Sequence, residues 1–175
     1  MKRSEKRESQ AGETGGEVPR WRRRMLRGTE QTPEAELRQT QDVLSWARRK
    51  HGPESSFTIK AMIDVAEQLA RQDRFAEEED LREQIVAALR STLGPDTLGT
   101  ASAEMRLAGC QVRSARLEDA DRLLAHVVAV RTVELGEDDP DTVRALSWRA
   151  NVAERLGRPG DAGSLPAGGA LDDVP

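Results

Sequence analysis

Aromatic residues and cysteine are scarce in this chain of 175 residues. There is no tyrosine, the aromatic residues together make up 3% of the sequence, and Cys110 is the one cysteine. A single cysteine excludes an intramolecular disulfide framework and a cysteine-rich metal site, and it agrees with a reducing compartment. No apolar run approaches the roughly 18 residues of a transmembrane helix. No apolar segment of a secretory signal follows the basic N-terminus. We therefore expect a cytoplasmic protein without a membrane-spanning segment.

Recognisable catalytic motifs are also lacking. The sequence has no phosphate-binding glycine loop, no dinucleotide-binding glycine pattern, and no zinc-protease or serine-hydrolase motif. We interpret His51 as a turn residue, His126 as a helix-face residue and Cys110 as a small core residue. The acidic run at residues 77–80 spreads over several faces of a helix, so we interpret it as solvated. The sequence therefore predicts a protein that is not an enzyme and needs no cofactor or metal.

Charge is distributed unevenly along the chain. Residues 1–28 contain nine basic and four acidic residues, whereas the remaining 147 residues contain 18 basic and 27 acidic ones. The N-terminal segment is therefore a basic arm on an acidic body. Lysine occurs only four times, and this strong preference for arginine is typical of a GC-rich, bacterial genome.

The basic arm contains one amphipathic stretch. As a helix it would place Trp21 and Met25 on one face, with arginines around them; the residues concerned are Arg20, Trp21, Arg22, Arg23, Arg24 and Arg27. Such a segment can bind nucleic acid, an anionic membrane or an acidic protein surface. A solvated tail and an arm folded back on the acidic body are the competing interpretations.

A period of 42 residues organises most of the chain. The segments HGPESSFT, LGPDTLGT and LGEDDPDT begin at residues 51, 93 and 135. Seven columns at this period hold the same residue three times, among them Gly52/Gly94/Gly136, Thr58/Thr100/Thr142, Arg71/Arg113/Arg155 and Arg74/Arg116/Arg158. Each unit reads as turn, helix, short turn, helix. The glycine ends one helix, and the threonine, or a residue just before it, is expected to cap the next.

Apolar residues recur at helical spacing within each unit, and strand alternation is absent. We predict six helices near residues 33–50, 56–71, 75–91, 97–114, 117–134 and 139–156. The first is the second helix of a unit, and after the last the chain meets Pro159, Gly160 and Gly163, which interrupt helices. The predicted organisation is a disordered basic arm at 1–31, a helical repeat domain at 32–157 and a disordered Gly/Pro-rich tail at 158–175.

The segment LGEDDPDT, followed by a helix with paired small and apolar residues, resembles the 42-residue tetratricopeptide repeat of the kinesin light chain type. The segments RLEDA at 116–120 and RPGDA at 158–162 resemble that family's inter-helix turn and the start of its second helix. Gly157 lies where the family favours glycine, whereas Asp73 and Ala115 depart from it, and Glu78 replaces the small alanine found at Ala120. The resemblance covers residues 33–165. It implies an all-α, right-handed α-solenoid of about six antiparallel helices.

The same resemblance implies a non-catalytic protein–protein interaction module, an adaptor or regulatory scaffold that binds a peptide or protein in a concave groove. By position in the repeat, the groove residues are Lys60, Ile63, Glu67, Arg71, Met105, Val112, Arg113, Arg144, Asn151 and Arg155. The arginine column 71/113/155 would suit an acidic partner, because arginine binds carboxylates with paired hydrogen bonds; solvated arginines at helix ends are the competing interpretation. Two alternative functions remain, a nucleic-acid-associated regulator that uses the basic arm and an accessory subunit of an enzyme complex.

The last predicted helix carries apolar residues on more than one face, and they are Val143, Leu146, Trp148, Val152 and Leu156. The second helix of its unit is missing, so we expect an exposed apolar strip there. A second copy of the chain in a homodimer, a partner protein, or the C-terminal tail with Leu165 and Leu171 would cover it.

Overall fold

The computed structural model describes residues 32–158, and these residues form six α-helices without a strand. The helices are α1 (Pro33–His51), α2 (Ser56–Arg71), α3 (Phe75–Leu93), α4 (Leu98–Arg113), α5 (Leu117–Leu135) and α6 (Pro140–Arg155). Every boundary lies within two residues of its prediction. The predicted all-α architecture of six helices is therefore confirmed, whereas the basic arm and nearly all of the C-terminal tail lie outside the described residues.

The helices alternate in length, with 19 residues in α1, α3 and α5 and 16 in α2, α4 and α6. Each helix packs mainly on the helix before it and the helix after it in the chain. One buried cluster joins α1, α2 and α3, and a second joins α4, α5 and α6. Alanines at the crossings, such as the fully buried Ala66 and Ala108, let neighbouring helices approach closely. Packing between sequence neighbours is the arrangement of a solenoid.

The repeated glycines and threonines form one hydrogen-bonded turn. Gly52 ends α1 with a φ of 82°, and its carbonyl oxygen accepts a hydrogen bond of 2.7 Å from the hydroxyl of the buried Thr58. The cap of α2 is Ser55, whose hydroxyl oxygen accepts the amide of Thr58. The next unit repeats the arrangement, with Thr100 donating to the carbonyl of Gly94 at 2.8 Å. The cap therefore lies three residues before the repeated threonine.

The third turn caps its helix with different residues. Asp139 caps α6 by accepting the amide of Asp141, and Pro140 occupies the first turn of the helix, where its missing amide hydrogen costs nothing. The hydroxyl of Thr142 is buried without a hydrogen-bond partner in the described part of the chain. The third unit thus keeps the threonine of the repeat but not its hydrogen bond.

The short turns inside the units require a left-handed residue. Asp73, Ala115 and Gly157 occupy equivalent positions and have φ angles of 55°, 59° and 73°. Glycine adopts this conformation without strain, whereas alanine suffers a clash between its Cβ and the backbone. The two residues that depart from the family's preference for glycine therefore lie at strained positions.

Replacing Ala115 with glycine is expected to stabilise the protein. Relief of the left-handed strain outweighs the greater freedom of glycine in the unfolded chain, for a net gain of roughly 0.5–1 kcal/mol. The free energy of unfolding, measured by urea denaturation, checks this. Gly136→Ala is the matched control, because its φ is 97° and no atom lies within 4 Å of the added Cβ. That variant should lose about 1–3 kcal/mol through backbone strain alone, and equal effects of the two substitutions would contradict the argument.

Candidate protein-binding groove

A cavity of about 520 Å³ opens between α2, α3, α4 and α6. The first helices of the units supply most of its lining, which places it on the face where the resemblance puts a groove. Its lining residues are Glu67, Ala70, Arg71, Asp73, Phe75, Glu78, Arg82, Met105, Arg106, Gly109, Arg113 and Trp148.

Three large apolar side chains form part of the wall. Phe75, at the start of α3, is 41% exposed, whereas Met105 is buried and Trp148 half-buried. Trp148 reaches across from α6 to α4 at Gly109, where a Cβ would lie 3.4 Å from the indole ring. The absence of a side chain at residue 109 therefore gives the indole its place against α4.

A buried carboxylate forms the floor of the cavity. Glu78 is 2% exposed, and it accepts hydrogen bonds of 2.6 Å from Arg82 of its own helix and from Arg113 of α4. Arg113 also lies over the ring of Phe75, 5.0 Å from its centroid. Because a buried carboxylate is stable only when it is paired, these two arginines are what makes a glutamate possible where the next unit has alanine.

The interpretation of residues 77–80 as a solvated acidic run is wrong for two of its members. Glu78 and Glu79 are buried, and each accepts a hydrogen bond from an arginine of the following unit, while Glu78 also pairs with Arg82 of its own helix. Glu79 accepts hydrogen bonds from Arg116 at 2.7 Å and from the hydroxyl of Ser114 at 2.9 Å. Their burial depends on Arg113 and Arg116, which approach these carboxylates only when the following unit packs on α3.

Cys110 lies beside this charge cluster. It is 2% exposed, and its sulfur is 3.2 Å from the guanidinium of Arg113. Burial raises the pKa of the Cys110 thiol to about 11, and the nearby Glu78 adds to that effect. The thiol is therefore protonated near neutral pH, which agrees with a core residue and not with a nucleophile.

Two arginines of the cavity form no close ion pair within the described residues. Arg71 and Arg106 are exposed, and neither forms an ion pair with another residue of the 32–158 segment. Arg106 was not among the predicted groove residues. The signal for it was nevertheless present, since Arg106 occupies the same repeat column as Trp148, 42 residues later, and both line the cavity.

The structure brings four of the ten predicted groove residues together in the cavity, namely Glu67, Arg71, Met105 and Arg113. The other six lie elsewhere. Lys60 is exposed and pairs with Asp64 at 2.8 Å, and Ile63 and Val112 pack against the hydrophobic clusters. Arg144 is exposed near Asp141 at the start of α6. Further along the same helix, Asn151 is half-buried and Arg155 is exposed.

The arginine column does not form a ladder of three equivalent cations in this cavity. Arg71 forms no ion pair within residues 32–158, Arg113 is paired with Glu78, and Arg155 does not line the cavity. The residues predicted for the basic arm lie outside the described residues.

The expected apolar strip on α6 is less exposed than its sequence indicates. Val152 is buried, and Val143, Leu146, Trp148 and Leu156 are half-buried. Trp148, Val152 and Leu156 pack against the cluster that joins α4, α5 and α6. Part of the expected apolar strip therefore packs toward α4. What covers the rest of the strip stays a prediction.

A second buried carboxylate ties α3, α4 and α5 together away from the cavity. Glu104 is fully buried, with Arg90 donating to it at 2.6 Å and Nδ1 of His126 at 2.6 Å. Nε2 of the same histidine lies 3.1 Å from Asp96. The hydrogen bond to Glu104 raises the pKa of His126, and Asp96 acts in the same direction. His126 is therefore a structural bridge between two carboxylates.

Within residues 32–158, no group of three histidine, cysteine, aspartate or glutamate side chains is arranged to hold a metal ion. None of the six helices combines the length and apolar character needed to cross a membrane.

Solved structures supply the comparison for this fold. The chain is similar to a Podosopora anserina protein described by its nearly identical TPR-like repeats of the kinesin light chain type, with a TM-score of 0.68 and 21% identity over 81% of this chain. A variant of that protein gives the same values. The chain spans 65% of the length of that structure. No protein-family model and no curated protein matches. In fold, the chain is a TPR-like helical repeat protein.

Removing the buried carboxylate at the floor is expected to destabilise the protein strongly. Glu78→Ala restores the alanine of the neighbouring unit but leaves Arg82, 8% exposed, as an uncompensated buried charge. The expected loss is about 3–5 kcal/mol in the free energy of unfolding, measured with urea. Glu78→Ala combined with Arg82→Leu should recover more than half of that loss. A neutral single substitution would show that the ion pair does not matter to stability.

The His126 bridge makes stability depend on pH. The folded-state pKa of His126 is raised above the ordinary value of 6.5. The stabilisation that the charged histidine contributes is therefore complete below pH 6.5 and is lost as the pH rises through the raised pKa. The free energy of unfolding, measured by urea denaturation between pH 6 and 9, should therefore fall as the pH rises. The fall should be smaller in His126→Gln. His51→Gln provides the control, because it removes a histidine that pairs with no carboxylate within residues 32–158, and the same flattening in both variants would contradict the assignment. An identical slope in wild type and His126→Gln would contradict this assignment.

Proposed function

We propose that this chain is a non-catalytic protein-binding module that holds an extended segment of a partner in the cavity between α2, α3, α4 and α6. TPR-like repeat folds commonly mediate protein–protein interaction, since stacked helix pairs present an extended concave surface. The observation that carries the proposal is the cavity itself, where apolar side chains from α3, α4 and α6 lie beside two exposed arginines that have no ion-pair partner in the described part of the chain.

The lining indicates which chemistry the partner segment needs. Phe75 and Trp148 offer ring surface for a large apolar side chain, and burying one such side chain contributes about 1.5–3 kcal/mol. Arg71 and Arg106 offer guanidinium groups for a carboxylate, which arginine binds through paired hydrogen bonds. The segment we propose is therefore acidic, with an apolar residue next to its carboxylate.

The floor of the cavity supports selectivity against other ligands. Four arginines line the cavity against three acidic residues, Glu67, Asp73 and Glu78, so the lining keeps a net charge of +1. A basic segment would meet this net positive charge, and like charges brought together disfavour binding. We accordingly place the chain as an adaptor or regulatory scaffold for an acidic partner in the cytoplasm.

Selection from a phage-displayed library of random 12-residue peptides tests this function. The selected peptides should combine acidic and large apolar residues, and the double variant Arg71→Glu/Arg106→Glu should bind them about 10–100-fold more weakly. That range corresponds to the roughly 1.5–3 kcal/mol of a charged hydrogen bond. Affinity is measured by fluorescence anisotropy with the selected peptides.

Arg38→Glu provides the matched control, because Arg38 is an exposed arginine of α1 that does not line the cavity. It carries the same charge reversal and should leave the affinity within about twofold. Peptides that bind the double variant as tightly as the wild type would place binding elsewhere. A selection that enriches no sequence would count against a peptide-binding function.

A further inference from the structure

Three equivalent turns lie along one edge of the helical layer. They connect α1 to α2, α3 to α4 and α5 to α6, and consecutive helices are antiparallel, so these three turns share an edge while the other two lie on the opposite one. We name the segments 46–57, 88–99 and 130–141 the first, middle and last turns, and together they form the turn edge.

The turn edge concentrates the exposed apolar surface. Six of the eight large apolar side chains that are exposed within residues 32–158 belong to it, two in each turn: Trp46 and Phe57, Leu93 and Leu98, and Val133 and Leu135. Val133, at 82%, is the most exposed of all. Single exposed apolar residues are ordinary, but a row of them on one edge is typical of an interaction surface.

Charge changes steadily along the same edge. The first turn has three basic residues and one acidic, the middle turn has one of each, and the last turn has one basic and five acidic residues. The net charges are therefore +2, 0 and −4, with His51 counted as neutral. The edge is apolar throughout, basic at one end and acidic at the other.

The charges at both ends are available to a partner. Arg49 and Lys50 form no ion pair within the described segment, and Lys50 lies 4.8 Å from the centroid of the Trp46 ring. Trp46, His51 and Phe57 hold one another at centroid distances of 5.3–5.5 Å. In the last turn, three exposed acidic residues likewise lack an ion pair within residues 32–158, and they are Glu134, Glu137 and Asp138.

We propose that two copies of this chain pair through their turn edges, running antiparallel about a two-fold axis that passes through the middle turn. The basic first turn of each copy then faces the acidic last turn of the other, so that the same attraction occurs twice. A two-fold contact is self-complementary, and residues on its axis meet their own counterparts. Like charges on the axis would repel, and the middle turn is the one with no net charge and with two exposed leucines.

The occupant is a second copy because the edge is complementary to itself when reversed. A parallel arrangement would set basic turns against basic turns and acidic against acidic. An open head-to-tail arrangement would pair a first turn with a last turn at each contact but leave the apolar middle turn of every copy uncovered. The antiparallel pair uses all three turns, and it involves neither the groove nor the apolar strip on α6.

Reciprocal charge reversal in the full-length chain tests this pairing. One variant carries Arg49→Glu and Lys50→Glu, which takes the first turn from +2 to −2, and the other carries Glu134→Lys, Glu137→Lys and Asp138→Lys, which takes the last turn from −4 to +2. Each variant alone opposes like charges twice, and each should raise the dimer dissociation constant more than tenfold. An equimolar mixture restores attraction at both ends, so it should form a one-to-one heterodimer. Sedimentation velocity over a range of concentrations gives the mass of each species.

Several measurements bear directly on the outcome. Wild type should saturate at the mass of two chains, and its dimer should weaken as salt is raised, since exposed charges are screened. Leu98→Glu, which puts two carboxylates near the axis, should also weaken the dimer more than tenfold, whereas Arg38→Glu should not. Circular dichroism confirms that every variant keeps its helices.

A wild type that stays monomeric at millimolar concentration would overturn the proposal. So would two reversed variants that fail to associate when mixed, a mixture that grows beyond two chains, or a dimer that Trp148→Glu disrupts and the edge variants do not. Peptide binding in the groove is a separate readout, because none of the substituted edge residues lines the cavity.

Discussion

Each helix of this protein buries its apolar side almost entirely against its neighbours in sequence, and the turns decide how the neighbours meet. A helix reverses direction through a left-handed glycine, which a threonine hydroxyl holds at Gly52 and Gly94, or through the left-handed residue at 73 or 115. These small elements fix the period of 42 residues. The period in turn brings the first helices of successive units onto one face, where the cavity forms, and the turns between units onto one edge.

The fold could be predicted because the same pattern of turn and helix residues occurs three times in the sequence. Glycine and threonine columns located the turns, and the six helices followed with small errors at their ends. Four of the ten predicted groove residues line the cavity for the same reason, since equivalent positions of stacked units face the same way. Arg106 could have been found by applying that rule to the column of Trp148.

The charges inside the protein could not be predicted from the same pattern. Glu78 lies where a neighbouring unit has alanine, and local sequence indicates an exposed acidic run; its burial depends on Arg113, 35 residues away in α4. Glu104 and His126 are likewise paired across helices. Periodicity reports which face a residue occupies, but it does not report whether a charged partner arrives on the facing helix. Such partners are visible only in the packed structure.

The cavity spans helices of all three units, and this has a mechanical consequence. In a solenoid the rotation between successive units sets the curvature, and here that rotation also sets the distance from Trp148 on α6 to Phe75 on α3. The ion pair of Glu78 and Arg113 at the cavity floor also connects two successive units. A segment bound in the cavity would therefore favour one curvature of the whole array. By thermodynamic linkage, an interaction that favours another curvature would weaken the binding of that segment by the same coupling free energy.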